Sequence, residues 1–262
     1  MTIVSRENQR LKDIRRLKTC KEEDRALLEG PHLIAEAATE GVQLDFVLGT
    51  PDFLASEAGR KLSASLSEAP IPVEARLLEE LADADSPRGV VAAARLPKTD
   101  LDCLPTRLIG PLVFAEGLQN PGNLGALARS AEAAGACGLA LESGRHGSAR
   151  PYHPRALRGS AGSLLRLSVA TDVSIEQLRD RYADQRPRAV ALVPAGGEDL
   201  YAVDLAGALI LVVGAEGAGL SPGTEEACDD RVTIPLGGSV ESLNTAVAAA
   251  VVLFEVRRRN QA

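Results

Sequence analysis

Short apolar runs alternate with amphipathic segments along the first third of the chain. The runs LDFVLG (44–49) and GVVAAARL (89–96) have the length and composition of buried strands. Between such runs, Pro31 opens a segment of helical spacing that continues to Thr39 and is followed by Gly41, a common helix stop. Repeated alternation of strands and helices predicts a largely parallel or mixed sheet with helices on both faces.

A second alternation begins at residue 111, after a proline-containing segment without periodicity. The strand PLVFAE precedes a predicted helix from about Asn123 to Ala134, and later strands include the apolar run ALILVV (208–213). The run from Ala246 to Phe254 is wholly apolar and predicts a final helix that is buried on most sides. The pattern predicts an α/β protein with a first domain at 1–96, a linker at 97–110 and a second domain at 111–262.

The charge pattern is uneven. The net charge of -7 argues against a general nucleic-acid coat, but basic residues dominate residues 1–21, and five arginines and two histidines occur without an acid between Gly144 and Arg166. Ordinary surfaces mix signs, so a plain solvated surface explains this second cluster poorly. A solvated surface is a better explanation of Arg257–Arg259, because cations complement the C-terminal end of a helix.

The remaining composition indicates the compartment. The four cysteines are far apart, without metal-ligand spacing or a disulfide framework, which predicts reduced thiols in a cytoplasm and no metal site. The N-terminus has no apolar signal region, and no apolar run approaches the length of a membrane span. We expect a soluble cytoplasmic protein with no membrane partner.

Three segments of the second domain carry the candidate chemistry. In the first, 118–135, Asn123 is the predicted helix cap and Arg129 lies among small residues. In the second, VVGAEGAGLSP, Glu216 lies in a glycine turn after a buried strand. In the third, 234–248, Ser242 is a candidate helix cap and Asn244 a polar residue in apolar surroundings that needs a partner. Glycines let a backbone approach a ligand closely, so two glycine turns predict a pocket.

Each segment also has a simpler explanation when taken alone. Asn123 could only cap its helix, and Arg129 could only pair with Glu132 one turn later. The glycine turn has the order G-x-x-G-x-G, lacks the acidic ribose ligand of the dinucleotide fingerprint, and has no GK[ST] of a phosphate-binding loop. A nicotinamide-dependent dehydrogenase is therefore a poor interpretation.

Taken in order, the three segments resemble the SpoU (TrmH) family of RNA ribose 2′-O-methyltransferases in the SPOUT superfamily. The family pattern N-x-G-N-x-G-x-x-x-R-x-A is matched from Asn120 to Ala131, and G-x-E-G-x-G-L from Gly214 to Leu220. The element I-P-x-x-G…S-L-N is matched between Ile234 and Asn244. The family usually continues with V-S-V-A, where this chain has Thr245 and Ala246, a change that removes a hydroxyl near the pocket.

The resemblance implies a two-domain homodimer that binds S-adenosylmethionine. Its first ninety-odd residues resemble a ribosomal-protein-L30e-like substrate-binding domain, and its second domain would be a trefoil-knot SPOUT methyltransferase. The implied reaction is methylation of a ribose 2′-hydroxyl in structured RNA, either rRNA or tRNA. The implied cofactor residues are Gly214, Glu216, Gly217, Ile234, Leu236, Leu243 and Asn244. The implied catalytic residues are Asn123, Arg129, Glu216, Ser242 and Asn244.

The role of Arg129 has two versions. A ribose hydroxyl is a poor nucleophile near neutral pH, so a base or a strong positive environment is required. The family's usual candidate base is the arginine at this position, but a guanidinium remains protonated in proteins. We therefore favour an electrostatic anchor that orients the ribose-phosphate while the proton leaves to phosphate or water. The rival from another class is a non-catalytic RNA-binding protein of the same fold, which would lack Arg129 or have an occluded pocket.

Overall fold

The computed structural model describes residues 2–19, 22, 24–81, 89–142 and 147–260. The chain forms two compact units, the first of Met1–Pro97 with Tyr152–Arg166, and the second of Lys98–Pro151 with Leu167–Ala262. This division differs from the continuous boundaries that the sequence suggested. Residues 152–166 pack with the first unit instead of the second, and residues 98–110 belong to the second unit instead of a separate linker.

The helices and strands follow the expected alternation, with one 3-10 turn at Leu101–Cys103. The helices are α1 Gln9–Lys18, α2 Pro31–Thr39, α3 Pro51–Ala55, α4 Glu57–Ser65, α5 Ala75–Glu79, α6 Pro121–Ala134, α7 Pro154–Ser160, α8 Ser163–Arg166, α9 Ile175–Arg181, α10 Pro222–Glu226 and α11 Thr245–Asn260. The strands are β1 Arg25–Glu29, β2 Leu44–Gly49, β3 Ile71–Pro72, β4 Val90–Arg95, β5 Leu112–Glu116, β6 Gly138–Glu142, β7 Val169–Thr171, β8 Arg188–Leu192, β9 Glu198–Asp199, β10 Leu209–Val213 and β11 Asp230–Thr233.

The first unit is built on a four-stranded mixed sheet of order β1-β4-β2-β3. β4 pairs antiparallel with β1 and β2, whereas β2 and β3 are parallel. Helix α1 buries Leu11, Ile14 and Leu17, which recur every three residues and form one apolar face. The mixed sheet confirms the class of sheet that the alternation predicted for this part of the chain.

Two arginines of the segment 144–166 form ion pairs with acids of the first unit. Arg158 donates to the carboxylate of Glu29, and Arg166 donates to that of Glu36. These acids come from β1 and α2, more than a hundred residues away in sequence. An ion-paired structural role therefore explains Arg158 and Arg166, contrary to our expectation, while Arg145 lies outside the described residues.

The second unit contains a seven-stranded sheet of order β7-β6-β5-β10-β8-β11-β9. All of its pairings are parallel. β10 is buried along its whole length, as its unbroken apolar sequence requires, and lies between β5 and β8. Because parallel strands share one direction, the segments that follow β5, β8, β10 and β11 all emerge at one edge of this sheet.

Helix α11 packs against α6 with one face instead of being buried on most sides. Its small residues Ala246 and Ala249 are buried, which permits close approach to its neighbours. On the opposite face, Val247 remains 51% exposed and Phe254 48% exposed. Within one copy of the chain the helix is therefore not buried on most sides, and burial across a subunit interface, the other way in which the sequence could meet this expectation, stays a prediction.

The arginines at the end of α11 bind groups of the protein, while Arg257 and Arg258 remain exposed to solvent. Glu255 is 9% exposed and accepts hydrogen bonds from Arg258 and, at 2.6 Å, from Nε of Arg259. Arg259 also donates to the carbonyl oxygens of Leu200, at 2.8 Å, and Val203. The hydrogen bonds from Arg258 and Arg259 lower the pKa of Glu255 to about 2.

We predict that Glu255 makes the stability of the second unit dependent on acid pH. A carboxyl whose pKa is lowered by folding stabilises above its unfolded pKa, and that stabilisation is lost as pH falls towards about 2. Glu255→Gln should lower the free energy of unfolding at neutral pH, and its difference from wild type should shrink between about pH 4.5 and about pH 2. Urea denaturation across this range measures both proteins. The exposed Glu226→Gln is the control, and an equal pH dependence for Glu255→Gln and wild type would contradict the prediction.

Candidate functional site

The first segment of the site follows β5 and begins helix α6. The helix begins at Pro121, and the side chain of Asn120 caps it by accepting a hydrogen bond of 2.9 Å from the amide of Gly122. The prediction that Asn123 caps this helix is therefore wrong, because proline is favoured in the first helical turn and brings the start forward. Asn123 lies within that first turn, and its side-chain amide donates to Oε1 of Glu216.

The second segment, 214–220, is a tight turn after β10. Ala215 and Gly219 exchange backbone hydrogen bonds of 3.0 and 2.9 Å. Gly217 and Gly219 have φ angles of +80° and +69°, in the left-handed region that favours glycine. A Cβ on Gly214 would lie 2.3 Å from the carbonyl carbon of Gly219, so only glycine allows the turn to close.

The third segment follows β11 and ends at Asn244, the residue that caps α11. Its Oδ1 accepts from the amides of Ala246, at 3.0 Å, and Val247, at 3.3 Å, while its Nδ2 donates to Oε1 of Glu216 at 2.6 Å. Asn244 is exposed and precedes the helix, which corrects the expectation of a polar residue in apolar surroundings. Ser242 is also exposed and lies before the cap, so it is not the cap itself.

Glu216 therefore connects all three segments. Its Oε1 accepts hydrogen bonds from the amide groups of Asn123 and Asn244, which lie at the starts of two different helices. An ionised carboxylate is an acceptor only, and such charge-assisted bonds are stronger than those between neutral groups. Three of the five catalytic residues implied by the resemblance are thus joined at one atom.

A cavity of about 360 Å³ lies beside this connection. It is formed by the end of β8 and the loop after it, the glycine turn and the segment leading into α11. Its lining is Leu192, Val193, Pro194, Ala215, Glu216, Gly217, Gly219, Ile234, Leu236, Ser242, Leu243, Asn244, Thr245 and Ala248. Of the residues expected to bind the cofactor, only Gly214 is absent from this lining, since it serves the closure of the turn.

The sequence interpretation missed the contribution of the segment after β8. Leu192, Val193 and Pro194 line the cavity because β8 is hydrogen-bonded to β10, so its end emerges beside the glycine turn. A signal was present, since the buried strand RAVAL is followed by VPAGG. Its relevance depended on strand order, which alternation along the chain does not reveal.

Position 246 lies outside the lining of the cavity. Ala246 is only 3% exposed and does not line the cavity, whereas its neighbour Thr245 does. The expectation that Ala246 removes a hydroxyl near the pocket is therefore wrong, because the turn of the helix directs this position into the core.

Arg129 lies apart from the cavity lining and is exposed on α6. Among the residues that the structure describes, Arg129 has no hydrogen bond or ion pair. The simpler explanation, a pair with Glu132, is thus not observed. A guanidinium in this state retains its donors for an external acceptor such as a phosphate.

Thiolate chemistry and metal binding receive little support from the described residues. Burial raises the pKa of the Cys228 thiol to about 11 and also raises the pKa of Cys137, so neither is a thiolate at neutral pH. Within the described ranges, no cluster of three or more His, Cys, Asp or Glu side chains could hold a metal ion. Over the same ranges, no helix combines the length and apolar character needed to cross a bilayer. Cys20 lies outside them.

Both parts of the chain match models of known protein families. Residues 111–254 match the model of the SpoU rRNA Methylase family, and residues 8–92 match an MRM3-like substrate binding domain. Over 267 residues the chain is 33% identical to an uncharacterized tRNA/rRNA methyltransferase of Synechocystis sp., with 100% of this chain and 95% of that protein covered. It is 34% identical over 210 residues to the 23S rRNA (uridine(2479)-2′-O)-methyltransferase of Streptomyces viridochromogenes, covering 78% and 72% of the two chains.

Solved structures agree over nearly the full length. The SpoU methyltransferase AviRb from Streptomyces viridochromogenes, in complex with AdoMet, has a TM-score of 0.86 and 30% identity, covering 98% of this chain and 99% of that chain. The AdoMet-bound rRNA methyltransferase from Sinorhizobium meliloti has a TM-score of 0.82 and 26% identity, covering 99% and 98%. With more than half of its residues matched by the family model, and with a full-length relative at 33% identity, the chain belongs to the SpoU rRNA methylase family.

Proposed function

We propose that this protein is an S-adenosylmethionine-dependent enzyme that methylates a ribose 2′-hydroxyl of structured RNA, either rRNA or tRNA. One observation carries the proposal: Glu216 joins Asn123 and Asn244 beside a cavity formed by the end of β8, the glycine turn and the segment leading into α11. The named activities of the SpoU relatives, 2′-O-methylation of 23S rRNA among them, support this reaction. The AdoMet-bound neighbours support this cofactor.

The residues around the cavity fit S-adenosylmethionine. Ile234, Leu236 and Leu243 provide apolar surface of the kind that packs against an adenine ring, and the turn at Gly217 presents backbone with no side chain in the way. The volume of about 360 Å³ is within the range of sites that bind small molecules. When bound, the cofactor supplies an electrophilic methyl group on a sulfonium. We propose that these residues and Asn244 hold it, while Gly214 acts indirectly by shaping the turn.

The side chains around Glu216 would orient the RNA relative to this cavity. Glu216 fixes the amides of Asn123 and Asn244, so these groups are arranged before substrate arrives and need no reorganisation during the reaction. Arg129 would bind the phosphate next to the target ribose and stabilise the developing negative charge of the 2′-oxygen. Ser242, at the exposed rim of the cavity, would contact the same ribose. The proton of the hydroxyl leaves to phosphate or water.

Two features argue against the non-catalytic alternative. A protein that only bound RNA would have no need of an open cavity at the converging strand ends or of Arg129. Both are present, and the exposed guanidinium of Arg129 has no protein partner among the described residues.

We further propose a trefoil knot, an L30e-like first domain and a homodimer. The strand order supports the knot, since β10 enters the sheet between the earlier strands β5 and β8 before the chain returns as α11 to pack on α6. The match of residues 8–92 to a substrate-binding domain supports an RNA-binding role for the first part of the chain. The unpaired cysteines Cys103, Cys137 and Cys228 are compatible with a cytoplasmic location.

Arg129→Ala should lower the methylation rate by at least about a hundredfold, because an electrostatic group aimed at developing charge is lost. Its affinity for S-adenosylmethionine should stay near that of wild type, since Arg129 does not line the cavity. Arg129→Lys should retain part of the activity if a point charge suffices. Single-turnover methylation of RNA and calorimetric cofactor binding measure the two effects, with Arg107→Ala as the control. Normal methylation by Arg129→Ala would contradict the assigned role.

Glu216→Ala should weaken both methylation and cofactor binding, because it releases Asn123 and Asn244 together. We expect methylation to fall by about a hundredfold, the usual result of misplacing catalytic groups by about 1 Å. The methylation rate of Glu216→Gln should fall less, since its amide oxygen can still accept one or both hydrogen bonds. The same assays apply, with Glu241→Gln as the control. Equal rates for Glu216→Ala and wild type would show that the connection is not needed.

The exposed face of α11 should form the dimer contact. Val247 and Phe254 lie two helical turns apart on the face opposite α6, and this apolar surface is what a second copy would cover. Replacing both with Asp should produce a monomer, because charges would then be buried between the copies. Analytical ultracentrifugation measures the mass, with the exposed Arg107→Asp as the control. A dimer that survives the double substitution would place the interface elsewhere.

A further inference from the structure

The cavity is lined by four polar side chains, and two of them already form hydrogen bonds within the protein. Glu216 accepts from Asn244, and Oδ1 of Asn244 is used by the amides at the start of α11. The other two are the hydroxyls of Ser242 and Thr245. Neither has a hydrogen-bond partner within the described residues. Side-chain groups left for a polar ligand in this cavity therefore include these two hydroxyls and Oε2 of Glu216, since both bonds to Glu216 end on Oε1. Of these groups, only the hydroxyls can donate a hydrogen bond as well as accept one.

The two hydroxyls differ in position. Ser242 is exposed and lies at the rim, whereas Thr245 is partly buried as the first residue of α11. Thr245 is also held on both sides in sequence, since Asn244 is tied to Glu216 and Ala246 is buried in the core. Its branched side chain restricts χ1, so few hydroxyl positions are available to it when a ligand binds.

We infer that the Thr245 hydroxyl hydrogen-bonds S-adenosylmethionine directly and is a cofactor-binding residue of this protein. This inference rests on the proposed function, because it takes the cavity to be the cofactor site. A hydroxyl can both donate and accept, so it can pair with an amine, a carboxylate or a ring nitrogen of the ligand. Ser242 remains at the rim for the RNA, and the two hydroxyls thus serve different substrates.

Isothermal titration calorimetry of the full-length protein with S-adenosylmethionine tests the inference. Thr245→Val keeps the shape and removes the hydroxyl, and should weaken binding by about threefold to tenfold, the usual value of one hydrogen bond. Thr245→Ser keeps the hydroxyl and should bind within about twofold of wild type. Thr224→Val, which removes a hydroxyl from α10 outside the cavity, is the matched control and should bind as wild type. Thermal unfolding of each variant shows that the fold is intact.

A fourth variant separates failure of the inference from failure of the proposed function. Ala248 lines the cavity from α11, and Ala248→Leu should fill part of it and abolish cofactor binding. If Ala248→Leu loses binding while Thr245→Val binds as wild type, the role of Thr245 is overturned and the cavity assignment stands. If Ala248→Leu binds as wild type, the cofactor lies elsewhere and both are overturned. Weakening by Thr245→Val, restored by Thr245→Ser, supports both.

Discussion

The site depends on the carboxylate of Glu216, which accepts hydrogen bonds from Asn123 on α6 and Asn244 before α11. These amides are more than 120 residues apart from one another in sequence, and Glu216 lies on a third segment between them. Releasing either amide would leave Oε1 of Glu216 with a single partner and would remove the link between the glycine turn and one of the two helices. The cavity, the cap of α11 and the approach of α6 thus share one electrostatic constraint.

Helices α6 and α11 are also hydrogen-bonded to each other at the ends far from Glu216. Arg257 donates at 2.7 Å to the carbonyl oxygen of Ala133 in the last turn of α6. Arg259, held by Glu255, binds the carbonyl oxygens of Leu200 and Val203, which follow the loop that lines the cavity. Carbonyl groups at helix ends and in turns lack regular partners, so arginine satisfies them while fixing one element against another. These contacts hold α11 against α6 and against the segment that follows β9.

The arginines show that counting charges along a sequence does not reveal which of them form ion pairs. Residues 144–166 contain no acid, yet folding supplies Glu29 and Glu36 to Arg158 and Arg166. Arg129 presents the opposite case, because an acid one turn away does not pair with it. Which arginine is neutralised and which stays available is decided by long-range packing, since an ion pair depends on distance in space.

The sequence by itself determined the alternation of strands and helices, the buried β10 and the two glycine turns, because these follow from local periodicity and from backbone angles that only glycine adopts readily. Its motifs in order also predicted Glu216, Asn123 and Asn244 as site residues. Only the tertiary structure decided that these three meet at one oxygen, that Pro194 joins the cavity and that Ala246 turns away from it. Strand order and the rotation of a helix arise from contacts between distant segments, and no local pattern encodes them.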